Sequence, residues 1–160
     1  MGSGIERLAA AAAIFVTLAG QGAAQSLCAD DRVTVIGDFG QARFTVSVAD
    51  DNQERARGLM YVQEMPTMAG MLFVYERPQP ASFWMENTLI PLDMIFAGED
   101  GTVETVHAEA QPLDRTSIFG GDEIKYVLEI NGGLAEQLGI EPGAILQHPM
   151  IGPEAAAPCG

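Results

Sequence analysis

Positive charge is scarce in this chain. Its 160 residues include 8 lysines and arginines against 22 aspartates and glutamates, a formal net charge of −14. Nucleic-acid phosphates and anionic lipid surfaces would be repelled by such a balance, so neither is an expected partner. The chain has 2 cysteines and no Cys-x-x-Cys spacing, which removes the usual dithiol redox enzymes. Its 2 histidines, His107 and His148, stand far apart and outside any metal-ligand motif, so no zinc site is expected. Ser47, Ser82 and Ser117 lie in no nucleophile elbow, and Gly120-Gly121 and Gly132-Gly133 lack the strand-to-helix setting of a phosphate loop. No metal and no cofactor is expected.

Long apolar runs are missing too, apart from Leu8–Ala19, about a dozen residues behind Arg7. That length suits a secretory leader and falls short of the roughly 20 apolar residues of a membrane span. Gly22 and Ala24 suit the small positions of a cleavage site before Gln25, and Gln25-Ser26-Leu27 is no lipobox for Cys28. The expected organisation is a signal peptide over 1–24, one globular domain over 25–152 and a tail over 153–160, in a periplasmic or secreted protein with no stable membrane insertion after cleavage. Roughly 136 residues would remain, enough for one domain with a proper core. In an oxidising compartment Cys28 and Cys159 are expected to pair and so close almost the whole mature chain into a loop. The tail is expected to be loose unless Cys159 pins it.

The middle of the chain reads as short strands. Arg32–Ile36 and Arg43–Val48 alternate, with Phe44, Val46 and Val48 on one face. Met71–Tyr75, Met94–Ala97, Val103–Ala108, Tyr126–Ile130 and Ala144–Gln147 are further strands, and Glu99-Asp100-Gly101 is a hairpin turn. A short helix from Gln53 to about Gly58 is expected behind an Asp51 or Asn52 cap, and a second over Leu134–Leu138, stopped by Gly139.

Gly70–Asp93 is the richest stretch. It holds the sole tryptophan and a polar trio, Glu86-Asn87-Thr88, among apolar neighbours. Pro78, Pro80 and Pro91 predict short extended pieces joined by turns. If Ser82–Met85 is a strand, alternation puts Trp84 and Met85 on opposite faces. Trp84 with Asn87 and Thr88 could hold a sugar ring or small polar ligand, or Asn87 and Thr88 could simply make a turn before Pro91. Asp93, between Leu92 and Met94, is expected to be half buried and to need a cation or amide donors; Arg57 or the backbone could supply them. Glu129, inside YVLEI, either raises the same need or faces solvent. Arg57 is expected to fork onto an internal carboxylate, Asp93 or Glu129, or onto a ligand's. Met60, Met65, Met68, Met71, Met85 and Met94 invite a copper(I) reading, but without a repeated motif they read as core filling.

The words ERARGLM (54–60), GMLFV (70–74), FWMENTLIPLD (83–93), Met94–Phe96 and VLEINGGLAEQLGIEPG (127–143) resemble, in order and spacing, the domain of unknown function 192 family, from Val33 to about Gln147. The resemblance implies a compact α+β, β-rich single domain and no settled activity. Glu86 stands where the family often has Lys, and Val62 where a basic residue is common. The full expectation is a mostly antiparallel, barrel-like sheet with one or two short helices. Its function would be to bind a small polar ligand or envelope component through Arg57, Trp84, Asn87, Thr88 and Asp93, with no residue assigned as catalytic. The alternative is an envelope hydrolase or transferase using Asp93 with Glu86 or Glu129.

Overall fold

A computed structural model describes residues 28–159. The expected signal peptide and its cleavage site lie outside the described residues. Seven strands form one sheet in the order β5-β4-β6-β3-β2-β1-β7. They are β1 (Arg32–Gly37), β2 (Gly40–Ala49), β3 (Ala69–Phe83), β4 (Leu92–Ala97), β5 (Val103–Ala110), β6 (Ile118–Asn131) and β7 (Ile145–Gln147), with helices α1 (Asn52–Arg57) and α2 (Leu134–Leu138). All pairings are antiparallel except β2 with β3. That parallel pair needs a crossover, and the crossover carries α1. The sheet curls into a half-barrel. Its two edges meet where Val103 N–H donates to the Ala144 carbonyl at 2.7 Å and Leu146 N–H to that of Gly101 at 2.8 Å.

Side-chain alternation sorts the apolar residues into two cores. Val33, Phe44, Leu72, Ile95, Tyr126 and Leu128 fill one face. Phe73, Met85, Met94, Phe96, Ile124 and Val127 fill the other, where Phe83 packs edge-on against Phe73 and Phe96. β4 and the stretches Leu72–Val74 of β3 and Tyr126–Ile130 of β6 are therefore covered on both sides, which is why they read as nearly unbroken apolar words. Each large side chain fully buried here contributes about 1.5–3 kcal/mol.

The hairpin at Glu99-Asp100-Gly101 forms as expected, with Gly101 at φ 84°. β3 departs from expectation. Pro78 and Pro80 do not divide it into separate pieces; one 15-residue strand runs through them. Its register against β6 shifts between Val74 and Gln79 and again around Ala81, so the missing proline donors fall where the ladder is already irregular. At the N-terminal end of β3, Gly70 allows close pairing, since a Cβ there would strike the Glu129 carbonyl.

Cys28 and Cys159 are bonded, 131 residues apart, as expected. The segment after Gly152 is also held by Ala156 N–H donating to the Asp100 carbonyl at 2.8 Å and by Gln147 Nε2 on the Pro158 carbonyl. Buried His148 joins the two ends of the described residues from within. Its Nδ1 accepts from Met150 N–H and its Nε2 meets the Asp30 carbonyl at 3.0 Å; burial lowers its pKa. No described helix is long and apolar enough to cross a membrane.

Candidate functional site

α1 lies over the second core and begins as the sequence predicts. The Asp51 side chain caps it by accepting from Glu54 N–H at 2.8 Å, and Gly58 ends it at φ 49°. Arg55 fastens the helix to the sheet. Its guanidinium donates to the Asp50 and Val74 carbonyls and to Asn52 Oδ1, and it sits 5.3 Å from the centre of the Tyr75 ring. Burial raises the Tyr75 phenol's pKa, with Arg55 opposing and Glu129 reinforcing that rise.

Between α1 and the end of β3 is a cleft of about 50 Å³ lined by Arg55, Arg57, Met60, Trp84, Thr88 and Glu129, with Phe73 and Phe83 alongside. That volume admits a headgroup the size of a few waters and no ring. Trp84 stands at its edge, 50% exposed, while Met85 is fully buried. β3 ends at Phe83, so the strand that their expected opposition requires stops short of both, and the contrast is one of burial.

Glu129 is the chemically unusual member. It sits two residues before the end of β6 with Met71 of β3 and Met94 of β4 as its cross-strand partners, and is only 4% exposed. Its carboxyl has no hydrogen bond or ion pair among the described residues. Burial alone raises its pKa to about 8, so at neutral pH it is largely the neutral acid. It does not face solvent, because β6 is covered on both faces.

Asp93 is elsewhere. Its register partner is Ile130, while Met94 opposes Glu129, so the Asp93 and Glu129 side chains project from opposite faces of the sheet. Asp93 is completely buried rather than half buried. Its Oδ1 accepts from Glu109 N–H at 2.7 Å and Gly133 N–H at 2.8 Å, and Oδ2 from Ala135 N–H at 2.7 Å. Gly133, at φ 80°, opens α2 without a side-chain cap of its own, and Asp93 supplies the acceptor from across the fold. The donors Asp93 requires are thus all backbone. Arg57 is exposed and forms no ion pair among the described residues, so the expected internal fork is not made.

Asn87 and Thr88 do form a turn. Asn87 has φ 54°, its carbonyl accepts from Tyr61 N–H at 2.9 Å, and the Thr88 hydroxyl donates to the Glu86 carbonyl at 3.3 Å. Thr88 also lines the cleft, whereas the Asn87 amide contacts Met60 Sδ at 3.9 Å. Glu86 pairs with Arg115, which answers within the chain the charge reversal at that position. The structure thus gathers Arg57, Trp84 and Thr88, leaves Asn87 as support and separates Asp93. Met60 and Arg55 were not singled out as site residues in the sequence. The signal for Glu129 was there: an acid flanked by Leu and Ile within a strand word apolar enough to be covered on both faces.

A larger groove of about 650 Å³ opens among Glu99, Asp100, Glu104, Glu123 and Lys125. Its carboxylates are exposed and Lys125 already pairs with Glu99 at 3.0 Å, so no buried group there lacks a partner.

The family words map onto these same contacts. Gly132 N–H donates to the Pro91 carbonyl, and Asn131 Nδ2 donates to the carbonyls of Met65, Pro66 and Thr67. With Asp93 on Gly133, the PLD and INGG words lock together. A family model described as "Uncharacterized ACR", DUF192, matches residues 34–148. The chain belongs to the DUF192 family. Among the solved structures that resemble this DUF192 chain are two at least 40% identical to it. One is a protein of unknown function from Novosphingobium aromaticivorans, 44% identical, with TM-score 0.71, covering 72% of this chain and 82% of that one. The other, from Sinorhizobium meliloti and named as a candidate transcription regulator, is 40% identical with TM-score 0.70, covering 72% and 90%. No curated protein matches this DUF192 chain.

Proposed function

We propose that this DUF192 protein is an exported binding or accessory module whose ligand, a small polar molecule or envelope component, docks at the cleft between α1 and Trp84. The observation that carries the reading is Glu129, a buried carboxyl lining that cleft with no hydrogen-bond or ion-pair partner among the described residues. Its burial disfavours the charged form, and a partner brought in through the cleft would relieve that penalty. The exposed indole offers a flat apolar plate beside it, and Arg57 an unpaired fork at the rim. Only a headgroup enters the cleft; the body of the ligand lies along Trp84.

Export is supported by the leader-like sequence and by the Cys28–Cys159 bond, which persists in an oxidising compartment. The regulator name of the Sinorhizobium meliloti relative is not carried across, since a net charge of −14 opposes DNA. A two-carboxylate hydrolase gains no support either. Asp93 projects from the face opposite Glu129 with its oxygens occupied, and Glu86 is paired with Arg115.

The test is a thermal-unfolding screen of envelope sugars, short peptides and amines against the wild type and Trp84→Ala. A ligand that raises the unfolding temperature of the wild type and not of the variant supports the reading. Equal shifts in both proteins, or none with any compound, would sink it.

A further inference from the structure

We infer that the group this cleft receives is an ammonium, so that the ligand is an amine, held by the Glu129 carboxylate and the surrounding aromatic faces. The inference rests on the cleft being a binding site and names the chemistry it selects.

Three features converge. The cleft is lined by the Glu129 carboxyl, whose oxygens have no donor among the described residues, by Phe73, Phe83, Trp84 and Met60, and by Arg55 and Arg57. A carboxylate and aromatic rings lining one cleft can hold an ammonium group, through charge-assisted hydrogen bonds and cation–π attraction. The volume, about 50 Å³, suits an ammonium on a short stem. The chain's net charge of −14 draws cations toward it.

The charged and titratable groups around Glu129 leave this role open to a ligand. On α1, the Arg55 guanidinium is committed to the Asp50 and Val74 carbonyls and to Asn52, and Arg57 stands exposed at the rim. On β3, the Tyr75 phenol is neutral, its pKa raised. The cross-strand neighbours, Met71 and Met94, carry no charge. Among the described residues no cation pairs with Glu129, which leaves that partnership open to a ligand's ammonium. Arg57 then serves ligands that also carry a carboxylate, as amino acids and peptide ends do.

Protonation ties the event to pH. The resting carboxyl is largely neutral below about pH 8. Receiving an ammonium requires the carboxylate, so its proton leaves to solvent and one negative charge replaces it. Binding of an amine that stays protonated, as alkylamines do with pKa values of roughly 10, must therefore tighten as pH rises from 6 toward 8, by up to about tenfold per unit.

The sole tryptophan lies at the cleft, so its fluorescence reads this site alone. The probes are n-butylammonium, n-butanol and n-butyrate, matched in shape and different in charge. The expected result is a saturable fluorescence change with butylammonium that tightens from pH 6 to pH 8 and weakens at least about tenfold, or about 1.4 kcal/mol, in Glu129→Gln. Equal or stronger responses to butanol or butyrate would overturn the ammonium assignment and leave the cleft reading standing. A butylammonium response that neither depends on pH nor falls in Glu129→Gln would overturn it as well. So would silence with all three probes, and the thermal screen then decides separately whether the cleft binds anything. The probe comparison needs only the wild type, so it holds even if the variant folds poorly.

Discussion

Asp93 and Glu129 are buried acids on adjacent antiparallel strands, offset by one position in register, and the fold treats them in opposite ways. Asp93 is given three backbone donors and no exposure; Glu129 is given none and a narrow opening beside Trp84. The first joins the turn after β6, the start of α2 and the end of β5 through one carboxylate. The second joins nothing. A buried acid with its donors is architecture, and a buried acid without them is a cost carried for another reason.

The sharpest break in that comparison comes from Asp93→Ala. It strands the N–H groups of Glu109, Gly133 and Ala135, and we expect a loss of about 3–5 kcal/mol in urea unfolding at pH 7. Asp93→Asn, which keeps acceptor capacity on one atom, should lose less. A loss within about 0.5 kcal/mol in Asp93→Ala would show that Asp93 is no anchor.

Glu129→Gln should act in the other direction. The folded protein holds the Glu129 proton up to about pH 8, while the unfolded chain releases it near 4.5. Between those values the folded state binds more protons, so wild-type stability falls as pH rises through the window and the glutamine variant escapes that loss. The stability difference, variant minus wild type, should grow from pH 4.5 to pH 8 and reach about 2–4 kcal/mol in the variant's favour. A flat difference across that window would mean that Glu129 has a donor after all.

The two arginines of α1 extend the contrast to cations. Arg55→Ala removes bonds to two carbonyls and Asn52 and should cost about 1–2 kcal/mol, whereas Arg57→Ala should stay within about 0.5 kcal/mol. Reversal of that order would place the clamp on the wrong residue. The smallest effect on stability is expected at Trp84. Half exposed, it should cost under about 1 kcal/mol as alanine while abolishing any ligand-dependent thermal shift. A loss of the roughly 3–5 kcal/mol typical of a core aromatic would make Trp84 architecture instead.

Much of the fold was legible because alternation is a local signal. Val33 with Val35 and Phe44 with Val46 follow from neighbours in sequence, as do the Asp51 cap and the turn at Gly101. The length of β3 was not legible. Pro78 and Pro80 argue against a continuous strand unless the irregular register of the facing strand is known, and that strand lies some forty residues on. The start of β6 at Ile118 was hidden in the same way by Gly120 and Gly121. For the site, sequence brought together Arg57, Trp84 and Thr88. It could not show which acid shares their face, because Asp93 finds its donors at Gly133 and Ala135, at separations of 40 and 42 residues.

The bond between Cys28 and Cys159 makes the described part of this protein a covalent ring. A protease that severs one exposed turn opens the ring without detaching anything, and the product migrates as a single species until a reductant is added. Two cuts are needed to shed a fragment. In a compartment patrolled by proteases, the molecule survives its first nick with all of its parts still attached.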